Sequence, residues 1–258
     1  MHPVLFKVGD IYTVYSYGFF IVIGAILGVA YLAWQGKKQF KLTFDQVNTL
    51  FLMLLLAGLI GGKLFLFFEN PSYYSKNFSA LLTGRGFVFY GSLLFCIPTM
   101  LYFFKKHKLP TMPMLDIMAV TTCIVHFFGR IGCFMAGCCH GIEWHGPLAV
   151  IFTDKECFAP LNTPLHPTQL YSASVILFIM ILLLILKKHQ KFDGQLFLTY
   201  LMLYAIGRSI LEVFRGDLSR GFVIDGYLSN SQFISLIILI ITGYLYVKYW
   251  RRGKRTIE

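Results

Sequence analysis

The sequence predicts an all-α polytopic membrane protein with seven transmembrane helices, its N-terminus out and its C-terminus in, and outer loops capping the external face. Three observations predict it. Apolar residues make up 57% of the 258 residues and mean hydropathy is +0.66, well above the roughly 45–50% apolar share of soluble domains. Seven apolar stretches are long enough to cross a hydrocarbon core of about 30 Å. The connectors between them alternate between strongly basic and mixed or acidic, as the positive-inside rule requires of one consistent topology.

In chain order, the first stretch covers about 11–35 and ends at Lys37, Lys38 and Lys41. Residues 1–34 lack the small-residue cleavage site of a signal peptide, and their apolar run is long enough to span, so they form a first helix. The second stretch, 46–68, leads into a mixed connector with Glu69, Lys76 and Arg85. The third, 87–104, ends at Lys105, Lys106 and Lys108. The fourth, 114–135, opens the longest connector, 136–167, which carries Glu143, Asp154, Lys155 and Glu156. The fifth, 168–186, meets Lys187, Lys188 and Lys191. The sixth, 194–214, is followed by Asp217, Arg220 and Asp225, and the seventh, 230–250, by Arg251, Arg252, Lys254 and Arg255. The long outer connectors 69–86, 136–167 and 215–229 form a cap over the bundle. No linker or low-complexity run divides the chain, so 1–258 is expected to be one transmembrane domain.

The formal net charge is +11, which in a soluble protein would suggest nucleic acid. More than half of the cations sit in the four clusters at helix ends, so they anchor the protein at the cytoplasmic surface and no nucleic-acid partner is expected.

Several ionisable residues fall within or at the outer edge of the stretches: Lys63, Arg85, His126, Arg130, Arg208, Glu212 and Arg215. A charge in hydrocarbon costs at least about 2.5–3.5 kcal/mol, so such residues face the protein interior, a partner or a ligand. Gly129 and Gly207 precede Arg130 and Arg208 and leave room for close approach of a helix or a headgroup. Arg208, Glu212 and Arg215 share a helix face with Tyr204. Two readings stand. One is a structural Arg208–Glu212 ion pair; the other is an anion site, in which the arginine forks outnumber the single carboxylate and suit phosphate oxygens.

Cys96 and Cys123 lie in apolar runs and are expected as buried free thiols. Cys133, Cys138, Cys139 and His140 have metal-ligand chemistry, but the spacing is not a paired C-x-x-C, and adjacent cysteines do not easily reach one tetrahedral ion. No metal is expected. Packing of small side chains is the default, with a disulfide from one of them to Cys157 as the alternative.

The run from His126 through Arg130, Gly132, Cys133, Phe134, Gly137, Cys138, Cys139 and His140 to Gly141 resembles the signature region of the bacterial prolipoprotein diacylglyceryl transferases. So do His166-Pro167-Thr168-Gln169-Leu170-Tyr171 and the run Tyr204 to Arg215. Ser16-Tyr17-Gly18, Gly61-Gly62-Lys63 and Gly86 to Gly91 match other blocks, in order, over nearly the whole chain. The resemblance implies transfer of a diacylglyceryl group from phosphatidylglycerol to the lipobox cysteine thiol of a prolipoprotein, at the periplasmic face of a bacterial cytoplasmic membrane, without a cofactor. It implies a catalytic set of Arg130, Arg208, Glu212 and Tyr90, and substrate contacts from Arg130, Arg208, Arg215, Tyr17, Tyr204, Gly141 and His166.

The departures lie near the chemistry. Cys133 and Ala136 stand where the family pattern has Asn, Cys138 where it has Glu, Tyr90 where it has His, and Ser172 where Glu commonly follows. A base therefore cannot be carried over, and His126, His140 and His166 remain candidates by side-chain type. A related transferase using the same donor on another acceptor, and an anion transporter with arginines along its path, are the competing functions.

Overall fold

The computed structural model describes residues 1–8, 12–83, 87–216, 222–224 and 227–253. Arg85, Gly86, Asp217, Arg220, Asp225, Lys254 and Arg255 lie outside the described residues. The chain divides into two compact units, one of Met1–Tyr31 with Leu115–Glu258, the other of Leu32–Met114.

Among the described residues, seven long helices stand where the apolar stretches are: α1 (Ser16–Phe40), α2 (Phe44–Glu69), α5 (Phe89–Lys106), α6 (Thr111–Ala136), α7 (Thr168–Leu186), α8 (Gln195–Glu212) and α9 (Asn230–Arg252). Short helices α3 (Pro71–Lys76) and α4 (Phe78–Thr83) follow α2. Five of the long helices, α1, α2, α6, α7 and α9, are long and apolar enough to cross a membrane by length and composition. α5 and α8 have 18 residues each, about 27 Å at 1.5 Å per residue, and carry charge near their ends.

The described residues are mostly helical, with small strands beside the helices. Three small antiparallel pairs join the helices: β1 (Val4–Val8) with β2 (Tyr12–Tyr15), β3 (Val150–Ile151) with β4 (Pro164–Leu165), and β5 (Phe222–Ile224) with β6 (Leu228–Ser229). The first pair takes the residues counted as the start of the first span. Lys7 pairs with Thr13 and Val4 with Tyr15, a period-two pattern of β-branched and aromatic residues that a hydropathy window cannot distinguish from a helix. Ser16 ends the hairpin, its N–H donating to the Pro3 carbonyl at 2.8 Å and its hydroxyl to that of His2.

Helix starts follow from local chemistry. Thr43 and Gln46 form a reciprocal capping box at α2, as Ser229 and Gln232 do at α9. α8 starts at Gly194, whose φ of +87° favours glycine. Its first turn is capped from another helix: Asp116 accepts from Gly194 N at 2.7 Å, Phe197 N at 2.9 Å and Gln190 Nε2 at 2.5 Å.

In the Leu32–Met114 unit, α2 and α5 meet where a Cβ on Gly61 would strike the Gly91 carbonyl. Ser92 and Cys96 donate across the contact to the carbonyls of Gly58 and Leu54, at 2.8 and 3.3 Å. In the other unit, Ala119, Val120 and Cys123 of α6 pack with Ile176, Ile179 and Leu183 of α7 and Leu196 and Tyr200 of α8. Cys123 is fully buried there, as expected. Gly24 and Gly28 bring α1 close to Val125 and Phe128 of α6. On α9 the buried residues are Ser235 and Thr242, while Leu236, Ile240, Ile241 and Val247 are exposed. Small polar residues inside and large apolar ones outside is the arrangement of a helix whose solvent is lipid.

Candidate active site

The site is built in the larger unit, where α6 ends. Gly137 adopts φ +74°, and the chain closes α6 with two reverse hydrogen bonds, Cys138 N to Cys133 O and Gly137 N to Phe134 O, both 3.2 Å. This is a Schellman end, which sets the residue three from the helix terminus beside the second residue past it. Those residues are Cys133 and Cys138. Cys139, with φ +59°, turns the chain back toward them. The three sulfurs lie within 4.8 Å of one another. Adjacent cysteines were expected not to reach one point easily; here the reversals at Gly137 and Cys139 bring the three together. Cys157 does not join them; it packs beside Gly137 in a small apolar cluster with Phe134 and Phe152, and no disulfide links the cysteines.

The loop is held from α7. Thr168 Oγ1 donates to Cys139 O and Gln169 Nε2 to Cys138 O, each at 2.8 Å. Hydrogen bonds from the Cys133 and Cys138 thiols, with the charges of Arg215 and Arg130 behind them, hold the Cys139 thiol far below its ordinary value. The same thiol contacts, aided by burial, push Cys138 far above.

Arg130 lies one turn before Cys133 on α6. Its Nε donates to His126 Nε2 at 3.1 Å, so that nitrogen of His126 accepts and the ring is neutral. His126 in turn packs against Tyr204 of α8, ring centroids 5.4 Å apart, and Tyr204 stacks on Tyr200. One turn beyond Tyr204 is Arg208, paired with Glu212 and with both side chains 12% exposed. The structural ion pair exists, yet it does not exhaust Arg208: its Nη2 is buried with no hydrogen-bond partner among the described residues. Of the two glycines, Gly207 does admit a neighbour, since a Cβ there would meet Val175 Cγ1 at 2.6 Å. At Gly129 no atom beyond its own helix turn, among the described residues, lies within 4 Å of where its Cβ would stand, so no helix takes up the room there.

Arg215, just past α8, reaches the signature loop through the backbone. Gly141 bridges to Arg215, Ile142 N donates to Phe214 O at 3.0 Å, and Gly216 N to His140 O at 3.3 Å. On its other side the same loop pairs with 164–166 through Gly141 N to His166 O and His166 N to Ile142 O, each 3.0 Å, and Trp144 N to Pro164 O at 2.9 Å. Gly141 is thus squeezed between two backbones. A Cβ there would meet His166 Cβ at 2.5 Å and Phe214 O at 2.6 Å, which explains the glycine by close approach.

His166 is 9% exposed. Trp144 stacks on it at 4.2 Å and 7°, Phe214 and Tyr171 meet it edge-on, and its Nδ1 contacts the Tyr171 hydroxyl at 3.2 Å. His140 is different. Its Nδ1 faces the Gly141 carbonyl at 3.0 Å, and because a carbonyl only accepts, Nδ1 is the donor, so in the uncharged form of the ring Nε2 is the acceptor.

Tyr17, in the first turn of α1, has its backbone 3.1 Å from a Cβ placed on Gly132 and lies within electrostatic reach of Arg130 and the three thiols. Arg130, Arg208, Glu212, Arg215, Tyr17, Tyr204, Gly141 and His166 therefore all belong to the larger unit. Tyr90 stands in the first turn of α5 in the other unit, 56% exposed, and its expected catalytic part rests on the resemblance alone. Sequence reasoning gave no role to Trp144, to Gln169 within its motif, or to Asp116. The first two carry no charge to draw notice, and nothing in the local sequence marks Asp116 as the cap of another helix.

The fold and the site define a multi-pass, largely helical membrane protein with arginines gathered at a partly buried site. The sequence model described as prolipoprotein diacylglyceryl transferase matches residues 3–248. A phosphatidylglycerol–prolipoprotein diacylglyceryl transferase of Clostridium tetani is 36% identical over 242 residues, covering 93% of this chain and 95% of the relative. The protein of that name numbered 2 in Clostridium perfringens is 32% identical over 234 residues, 88% of each chain. One from Rickettsia bellii is 30% identical over 257 residues, 96% of this chain and 95% of the relative. The chain belongs to the prolipoprotein diacylglyceryl transferase family, a family of membrane enzymes.

Proposed function

We propose that this chain transfers the diacylglyceryl group of phosphatidylglycerol to the lipobox cysteine thiol of prolipoproteins, at the periplasmic face of a bacterial cytoplasmic membrane. In this reading all seven long helices span the bilayer, N-terminus out and C-terminus in, and 1–258 works as one transmembrane domain. The observation that carries the reading is a buried guanidinium with a donor to spare: Arg208 keeps Nη2 without a partner among the described residues after pairing with Glu212. A buried donor of that kind is costly unless an acceptor arrives, and a phosphate oxygen is the acceptor a guanidinium fork fits.

Transfer then proceeds as a displacement at the glyceryl carbon. The acceptor S–H gives its proton to His140 Nε2, the thiolate forms a C–S bond, and the C–O bond to phosphate breaks with its electron pair leaving on glycerol phosphate. A base is needed because a free thiol has a pKa near about 8.5. Of the three histidines, His126 spends Nε2 on Arg130 and His166 is enclosed by aromatic rings, which favours His140. Charge grows on the leaving phosphate as the bond breaks, so Arg130 and Arg208, already oriented by His126 and Glu212, stabilise the transition state more than the ground state. Arg215 adds charge, Tyr17 and Tyr204 offer hydroxyls to the headgroup, and Gly141 and His166 shape the loop.

The test uses membranes carrying the full chain, phosphatidylglycerol and a lipobox peptide. The expected product is a thioether-lipidated cysteine, abolished by Arg130→Gln in protein that remains inserted. Cleavage of the donor with no lipidated peptide would reassign the acceptor, and no donor cleavage at all would remove the reading.

A further inference from the structure

The mechanism above makes no use of three thiols converging beside its arginines. Cys133, Cys138 and Cys139 offer one sulfur each, and all three lie within 4.8 Å of one another. Sulfurs that share one metal ion at about 2.3 Å stand about 3.8–4.0 Å from one another, so small side-chain rotations close the set around an ion. The backbone is already arranged for it. The Schellman end fixes Cys133 beside Cys138, the left-handed Cys139 returns its side chain to the same point, and Thr168 and Gln169 hold the carbonyls of Cys139 and Cys138 at 2.8 Å. A β-carbon residue at φ +59° is a local cost, tolerated here in the residue that completes the sulfur set.

We propose that Cys133, Cys138 and Cys139 bind one soft, thiophilic metal ion of the Cu(I) type in a three-sulfur site. Thiolate ligands select soft ions. The ligand count narrows the choice further, since no fourth ligand group lies in the cluster among the described residues, whereas a structural zinc site closes with four. Charge balance agrees. Three thiolates around a monovalent ion carry two net negative charges, and the charges of Arg130 and Arg215 both act on Cys139. Binding forms three metal–sulfur bonds and releases the thiol protons to solvent, with no change of oxidation state. An occupied site engages the guanidinium charge that the proposed transfer reaction directs at phosphate, so occupancy inhibits transfer; this second statement rests on the proposed function, while the binding does not.

The experiment titrates the full-length, detergent-solubilised protein with Cu(I) under anaerobic, reducing conditions against a chromophoric chelator, with a parallel Zn(II) arm. One equivalent of Cu(I) is expected, seen by X-ray absorption with three sulfur neighbours, and lost in Cys133→Ser, Cys138→Ser and Cys139→Ser, each still eluting as a single species. Cys96→Ser and Cys157→Ser keep it. Less than about a third of an equivalent, uptake that survives the triple substitution, or Zn(II) displacing Cu(I) one for one overturns the proposal. So does a protein whose three thiols resist metal because two have already joined, two mass units lighter, in a disulfide. In the transfer assay the wild-type rate falls at least tenfold at one equivalent, while a metal-free protein with no transfer at all refutes the proposed function and leaves the titration standing.

Discussion

The two ends of α8 hold buried charge in opposite ways. At its start, Asp116 of α6 is 4% exposed, and its two oxygens accept from Gly194 N, Phe197 N and Gln190 Nε2. At its end, the Arg208 and Glu212 side chains are each 12% exposed, and Arg208 retains a buried donor with no partner among the described residues. Both are charges in a setting where charge is expensive. The first is consumed by the helix N-terminus, whose free N–H groups and dipole need an acceptor, and has nothing left for a ligand. The second has capacity beyond its own pair. Satisfaction, more than burial, separates the two: one charge is spent within the fold and the other keeps a donor free among the described residues.

That contrast is broken or sharpened by a series of substitutions. Asp116→Ala leaves the Gly194 and Phe197 N–H groups unpaired, while Gln190 Nε2 keeps the Phe192 carbonyl, and at about 1–3 kcal/mol per buried donor is expected to cost about 2–6 kcal/mol of stability; thermal unfolding in detergent should shift steeply downward while the surviving folded fraction keeps its transfer rate. Replacing the other pair together, Arg208→Met with Glu212→Met, should do the reverse. Apolar residues of similar size leave stability nearly unchanged, while loss of an oriented donor lowers transfer about 10²–10³-fold, or about 2.7–4 kcal/mol. A large loss of stability in this double variant would show that Arg208 is structural after all. His126→Ala removes the acceptor that orients Arg130, so a loss of about tenfold in kcat, 1.4 kcal/mol, is expected with KM little changed, partly restored in His126→Gln. The smallest effect belongs to Cys157→Ser, which touches neither end of α8 and should change stability by less than about 1 kcal/mol with transfer intact.

Arg130 and Arg208 were visible as candidates because arginine in an apolar stretch is anomalous whatever surrounds it. His126 was visible too, but its use was not: only the contact with Arg130 on one side and Tyr204 on the other makes it the link between α6 and α8. The β1–β2 hairpin was hidden because hydropathy averaging treats residues 11–15 as the start of a helix. The thiol cluster was hidden for a different reason. Sequence spacing of 133, 138 and 139 suggests divergence if the chain continues straight, and the two left-handed residues, Gly137 and Cys139, reverse it.

By itself the sequence determined where the long helices run, because a membrane span is a matter of length and apolarity, both local properties. It also determined which residues were out of place in them. Tertiary structure alone decided which of those charges are spent and which are spare, and which three cysteines meet. Hydrogen-bond satisfaction and side-chain convergence depend on groups brought together from distant parts of the chain, as Asp116 is to Gly194 and Thr168 to Cys139, and no spacing along the chain encodes them.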